Sequence, residues 1–188
     1  LSFDQVEAAV LNVARYDVFK LGEAVLAGQV GRALRMLEGL EAEGEAPVLV
    51  HWTLAEDIRA LKRIKDAMAE GRPLPLALKD ARVWGVKERL FERVLPLLAE
   101  HQLAHLVQAA SVCDGVIKGL KHPDWPLDAW SALKRLALLV LQQVVPRWLY
   151  SRIPASNSRQ ISVGKLSRLH SSAIPKILPA APGWPTVD

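Results

Sequence analysis

Residues 47–70 decide the fold and read PVLVHWTLAEDIRALKRIKDAMAE. Apolar residues recur in this stretch at three- and four-residue intervals, and basic residues flank them. This spacing gives a long α-helix one buried face and one solvated face. Pro47 suits the first helical turn, because the amide hydrogen that proline lacks would have no helical partner there. The predicted buried stripe consists of Val50, Leu54, Ile58, Leu61, Ile64 and Met68.

The same periodicity predicts helices on both sides of this one. No stretch alternates with the period of two that marks a half-buried strand, so we expect an all-α protein. Loops this short favour a bundle of antiparallel helix pairs. We expect Asp17 to cap the second helix, Gly28 and Gly44 to end the second and third, and Pro96 to kink or divide its helix. The remaining predicted helices cover residues 3–16, 17–27, 29–43, 76–82, 86–101, 102–121 and 127–145.

Composition indicates an ordinary soluble domain. The 188 residues are 51% hydrophobic and 23% charged, with a net charge of +4. The longest apolar run, Leu136–Leu141, is far shorter than the roughly 20 residues that span a bilayer, so no membrane association is predicted. Cys113 is the only cysteine, which excludes an internal disulfide and fits a cytoplasmic protein. We expect it to be a small buried hydrophobe.

The two ends of the chain differ from its middle. The opening Leu1-Ser2-Phe3-Asp4 has no initiator methionine and no signal-peptide character, so we expect a fragment of a longer protein. Residues 146–188 are rich in proline and serine and basic, and they predict an irregular tail with at most a short helix over 161–169. A basic tail of this kind either binds polyanions or is simply solvated.

Two sequence patterns superficially suggest chemistry. His101 and His105 have the spacing of paired metal ligands on a helix, but Gln102 stands where a zinc protease needs a glutamate base. Residues 164–167, GKLS, resemble a phosphate loop, but Arg159 occupies the required upstream glycine position. We therefore predict no metal site, no cofactor and no catalytic group.

Aromatic and basic residues cluster around the break before the last predicted helix. Lys118 and Lys121 precede Trp125, and Trp130 follows it. An aromatic side chain in a loop beside lysines is typical of proteins that stack on an exposed base while cations hold phosphate. Trp130 shares its helix face with Leu133 and is expected in the core, whereas packing and exposure are both open for Trp125.

Several segments together resemble the carboxy-terminal part of the bacterial DNA polymerase III delta subunit, a subunit of the sliding-clamp loader. The resemblance extends over about residues 1–141 and implies three regions: the end of the helical lid at 1–18, a helical collar at 19–145, and an unmatched basic tail at 146–188. The segments that carry it are 1–10 (LSFDQVEAAV), 14–19 (ARYDVF), 24–28 (AVLAG), 32–34 (RAL), 40–49 (LEAEGEAPVL), 81–84 (ARVW) and 128–133 (DAWSAL).

The resemblance implies a non-catalytic subunit without an ATP site. Collar helices would pack side by side with the delta-prime and gamma or tau subunits to form a pentamer, and contact with the sliding clamp would belong to an amino-terminal domain outside this chain. In the family the loop before the final helix points an aromatic residue towards primer-template DNA. Trp125 would then stack on a template base, with Lys118 and Lys121 near phosphates.

Other function classes have less support. A generic helical adaptor could bind a partner's peptide between helix pairs, although no internal repeat of fixed period is present. A small helical enzyme would need paired acid and base groups, and the sequence offers none near one predicted pocket.

Overall fold

A computed structural model describes residues 18–145 of the chain, and these residues form helices without a strand. The prediction of an all-α protein is confirmed. The predicted helix over 3–16, the Asp17 cap and everything beyond 145 lie outside the described residues. The helices are α1 (18–26), α2 (Val30–Ala42), α3 (Pro47–Ala69), α4 (Leu74–Asp80), α5 (Val86–Val94), a 3-10 turn (Leu95–Leu97), α6 (Glu100–Ile117) and α7 (Ala129–Val144).

Helix α3 is the centre of the bundle and packs against α4, α6 and α7, while α7 also packs against α6 and α2. The stripe predicted for α3 is buried from Val50 to Ile64. Met68 was wrongly placed in it, because this residue of the last turn is 38% exposed. The core of the bundle therefore forms around the first five turns of α3.

Side-chain contacts show that neighbouring helices run antiparallel, as predicted. His51, near the start of α3, is hydrogen-bonded to the carbonyl of Ala110 in the second half of α6, and Lys62, in the second half of α3, lies 3.9 Å from a carboxylate oxygen of Glu100, the first residue of α6. Gln102, near the start of α6, donates a 2.6 Å hydrogen bond to Gln143, near the end of α7. Helices α3, α6 and α7 therefore form two successive antiparallel pairs.

Most predicted helix ends are confirmed. Gly28 and Gly44 have φ angles of +72° and +76°, and Pro47 is the first residue of α3. Pro96 divides its span, because α5 ends at Val94 and Pro96 lies in the following 3-10 turn.

Two helices begin at residues other than those predicted. At each of these starts a side chain accepts a hydrogen bond from a backbone amide that has no partner within the helix. Helix α6 begins at Glu100 because Gln102 accepts a 2.7 Å hydrogen bond from the Ala99 amide. Helix α7 begins at Ala129 because Asp128 accepts a 2.7 Å hydrogen bond from the Ser131 amide. This hydrogen bond holds the pKa of Asp128 below its usual value.

The core contains Cys113, whose burial raises the pKa of its thiol to about 12. A thiol that stays protonated is a poor nucleophile, so Cys113 packs as a small apolar residue, as expected. Within 18–145, no helix combines the length and the hydrophobicity needed to cross a bilayer.

Candidate nucleic-acid interface

The loop between α6 and α7 contains the predicted DNA-contacting residues. Lys118 follows α6 directly, is exposed, and forms a 2.6 Å ion pair with Asp114 one turn earlier. Lys121 is also exposed, and no ion pair to it occurs within the described residues. Only Lys121 is therefore immediately available to a phosphate, whereas Lys118 must first leave Asp114.

Trp125 is half-buried and is covered on one side by a cation from its own chain. The Arg135 guanidinium lies 4.9 Å from the centre of the Trp125 ring, a cation–π contact. Arg135 also donates a hydrogen bond to the carbonyl of Asp124, and the Trp125 amide donates one to His122 over 3.1 Å. The ring is therefore held in a turn with Arg135 against it.

Arg135 was missed by the sequence reasoning. It lies ten residues after Trp125 and two turns into α7, so only the turn back from the loop brings it onto the ring. Trp130 was expected in the core, but it is half-buried. It is the second residue of α7, and the buried face of that helix starts at Ala132.

A second tryptophan loop, residues 81–85 between α4 and α5, is more open. Trp84 is 66% exposed, the highest value for a tryptophan within 18–145. Lys79, Arg82 and Arg89 are exposed near it in sequence, and none of the three forms an ion pair within the described residues. The sequence signal was present, since these residues have the same aromatic and basic composition that drew attention to Trp125.

The backbone of this loop holds Trp84 in place. Val83 is buried, and its amide donates a 3.0 Å hydrogen bond to Leu78. Arg82 and Gly85, which flank Val83 and Trp84, both have positive φ angles, of 55° and 71°. Glycine is favoured at position 85 because its φ of 71° and ψ of −131° lie in a region that side chains rarely adopt.

A groove of about 300 Å³ is lined by residues of α3 and α6. His51 forms part of its lining; the ring Nε2 lies 2.8 Å from the Ala110 carbonyl, and Nδ1 lies 3.8 Å from an Asp114 carboxylate oxygen. Burial lowers the pKa of His51, which favours the neutral ring. Because a carbonyl can only accept, Nε2 carries the hydrogen and donates a hydrogen bond to Ala110. The groove is lined by Val48, His51, Trp52, Arg59, Val107, Ala110, Ser111 and Asp114.

Metal binding has no geometric support in residues 18–145. No three or more His, Cys, Asp or Glu side chains in this range converge on a point where a metal could bind. His101 and His105 are both exposed on α6.

Comparisons with known proteins show which family the chain is similar to. Residues 18–147 match the family described as the processivity clamp loader gamma complex DNA pol III C-terminal region. The chain is 30% identical over 140 residues to the DNA polymerase III subunit delta of Escherichia coli (strain K12), covering 74% of this chain and 39% of that protein. It thus spans about two fifths of that relative's length.

A solved structure supports the fold. The Bacillus subtilis DNA clamp loader delta protein superposes with a TM-score of 0.52 at 17% identity, over 69% of this chain and 37% of that one.

Proposed function

The chain belongs to the family of the DNA polymerase III clamp-loader delta subunit's C-terminal region, and we propose that it forms the collar of such a subunit, joins the other loader subunits and contacts primer-template DNA. In this proposal residues 1–18 end the helical lid, 19–145 form the collar, and 146–188 are a basic tail. The role is cytoplasmic and non-catalytic. It needs no cofactor, and contact with the sliding clamp belongs to sequence outside this chain.

The DNA contact is supported above all by the exposure of Trp84, which has exposed cations before and after it in the sequence that form no ion pair within the described residues. An exposed aromatic ring offers a base a face on which to stack, and neighbouring cations offer phosphates a counter-charge. Trp125 is the second contact, and its Arg135 can hold a phosphate while one ring face is covered. Lys118 and Lys121 add charge beside it.

Binding of primed DNA tests this proposal. The chain would be assembled with delta-prime and gamma or tau subunits, and its affinity for a fluorescein-labelled primer-template measured by anisotropy. We expect Trp84→Ala and Trp125→Ala to weaken binding, because each removes a stacking surface. Leu97→Ala is the control, since Leu97 is a 45% exposed apolar residue that lies outside both tryptophan loops and outside the face proposed below for subunit contact. Parent-like binding by both loop variants would overturn the DNA contact.

Subunit assembly is supported by three large apolar side chains, one on α1 and two near the start of α3. Phe19, Val48 and Trp52 are 41%, 52% and 51% exposed, and Phe19 and Trp52 line one small pocket together. An apolar centre that includes an exposed tryptophan is typical of the residues that dominate protein interfaces. The proposed partners are the delta-prime and gamma or tau subunits.

Co-elution on a sizing column with light scattering tests assembly. The chain is expected to form a stoichiometric complex with the collar domains of the other subunits, and Trp52→Ser is expected to weaken it. Trp84→Ser replaces a similarly exposed tryptophan outside this face and should leave assembly unchanged.

A helical adaptor is the second candidate function, because the α3–α6 groove is large enough to receive side chains from a bound peptide. Failure of the folded chain to bind any clamp-loader subunit at micromolar concentration would favour this alternative.

A further inference from the structure

A residue just after the Trp84 loop forms an ion pair with a buried carboxylate. Lys87, the second residue of α5, extends its ammonium group to Asp57 on α3, where the nitrogen lies 2.5 Å from Oδ1. Asp57 is only 8% exposed, and its other oxygen, Oδ2, has no hydrogen-bond partner within the described residues. A buried carboxylate with one unsatisfied oxygen is costly, so its contact with Lys87 is strongly favoured over separation.

The carboxylate is also enclosed by α1. A Cβ atom placed on Gly22 would lie 2.6 Å from Oδ2 of Asp57, so α1 approaches α3 this closely only because residue 22 is glycine. Lys87 additionally lies 5.9 Å from the centre of the Phe19 ring. Three helices therefore meet at Asp57, and Lys87 is the residue of α5 that reaches it.

Lys87 lies three positions after Trp84, a span of at most about 11 Å even for extended chain. On the other side of Trp84 the loop is fixed by buried Val83. The second cationic anchor of α5 is at its far end, where Arg93 donates a 3.1 Å hydrogen bond to the carbonyl of Leu26. Of the two side-chain hydrogen bonds that α5 makes to other helices within the described residues, the Lys87 ion pair is the one at the end next to Trp84.

We propose that the Asp57–Lys87 ion pair is a positioning latch, which fixes the loop carrying Trp84 and thereby sets the affinity of that loop for DNA. This inference rests on the proposed DNA contact. Neither latch residue touches DNA in this proposal. A stacking side chain held in one orientation loses less conformational entropy on binding than a mobile one, so a rigid loop binds more tightly.

Asp57→Asn is the variant that tests the latch, because it preserves the shape of the side chain and removes the ion pair. It also makes the net charge more positive by one unit. Electrostatic attraction alone would then strengthen DNA binding, whereas loss of positioning weakens it. Lys87→Gln breaks the same pair from the other side. Lys62→Gln is the matched control, since Lys62 pairs with Asp66 on the surface of α3.

Two measurements separate the latch from the DNA contact. Hydrogen exchange of the 188-residue chain is expected to quicken roughly tenfold at amides 81–88 in both latch variants, with α6 and α7 unchanged. In the assembled loader, anisotropy is expected to show about fivefold weaker primed-DNA binding by Asp57→Asn. Circular dichroism verifies that each variant is folded.

Unchanged exchange at 81–88 in both variants would overturn the latch whatever DNA binding shows. The latch's role in DNA binding would also be overturned if Trp84→Ala weakened binding while Asp57→Asn did not. If Trp84→Ala itself bound like the parent, the proposed DNA contact would be wrong, and the exchange result alone would decide whether Asp57 and Lys87 fix the loop.

Discussion

The two tryptophan loops have similar composition and different structures. Trp84 projects with 66% of its surface exposed, and its neighbouring cations are unpaired within the described residues. Trp125 is half-buried under Arg135, and nearby Lys118 is already paired with Asp114. Aromatic and basic residues together therefore indicate that a loop could bind nucleic acid, but the contacts they make inside the protein decide how much of that capacity is available.

A different buried titratable side chain is associated with each of the two loops. The Trp84 loop is backed by Asp57, and burial raises the pKa of this carboxyl group, with Lys87 opposing the shift. The helix that leads to the Trp125 loop is tied to His51, whose pKa burial lowers. Burial disfavours the charged form in both cases. The partners differ, because Asp57 is paired with the cation Lys87, whereas His51 is hydrogen-bonded to a backbone carbonyl.

The largest expected effect is on stability and concerns the Trp84 loop. Lys87→Met leaves Asp57 buried without its partner, and we expect the free energy of unfolding at pH 7 to fall by about 3 kcal/mol. Urea denaturation measures this. Adding Asp57→Asn should restore most of the loss, because the buried charge is then gone.

Arg63→Met is the control for this effect, since it breaks a largely exposed ion pair with Glu56 and should cost under about 1 kcal/mol. A loss from Lys87→Met as small as this control would mean that the ion pair is not effectively buried. The proposed difference between the Trp84 loop, next to a buried ion pair, and the Trp125 loop would then disappear.

The next effect is on DNA affinity and ranks the two tryptophans. Trp84→Ala should weaken primed-DNA binding by about 1 to 3 kcal/mol, the usual value of one base stacked on an aromatic ring. Trp125→Ala should cost less, because Arg135 occupies one face of its ring. Anisotropy titrations of both variants in the assembled loader give the ranking, and the reverse order would show that DNA displaces Arg135 and uses Trp125 as its main contact.

A smaller effect is expected from pH through His51. Its pKa in the folded state lies below the value of 6.5 for a free histidine, so the unfolded chain takes up a proton first as the pH falls. The stability that neutral His51 contributes is present above pH 6.5 and is lost as the pH drops from there towards its folded-state pKa. We expect a loss of about 1 kcal/mol between pH 7.5 and 5.5.

Urea denaturation at several pH values, for the parent and for His51→Gln, isolates the effect of His51. Asp57 acts in the opposite direction, because its raised pKa favours proton uptake by the folded state. Its contribution is common to both proteins and cancels in the difference. Identical pH profiles for the two would show that His51 titrates as freely in the folded chain as in the unfolded one.

Much of the fold could be predicted from the sequence, because a period of 3.6 and glycine or proline at helix ends are local signals. The starts of α6 and α7 were missed because Gln102 and Asp128 cap them, and several nearby polar residues could have served equally well. The candidate site was harder to predict. The contact of Arg135 with Trp125 and the exposure of Trp84 both depend on how helices pack, which composition does not record.

The smallest expected effect tests whether the Trp125 loop withholds its charge. Asp114→Asn releases Lys118 from its ion pair, and because exposed pairs are worth at most about 1 kcal/mol, we expect primed-DNA affinity to rise only about twofold near 0.1 M salt and the gain to vanish at high salt. Asp66→Asn removes the same charge on α3 and releases Lys62, so it controls for net charge.

Equal gains from both variants would mean that charge acts at a distance and that Lys118 does not lie near phosphate. A gain confined to Asp114→Asn would show that the Asp114 carboxylate and the DNA phosphate compete for Lys118. The cations near Trp84 differ because they have no carboxylate partner within residues 18–145.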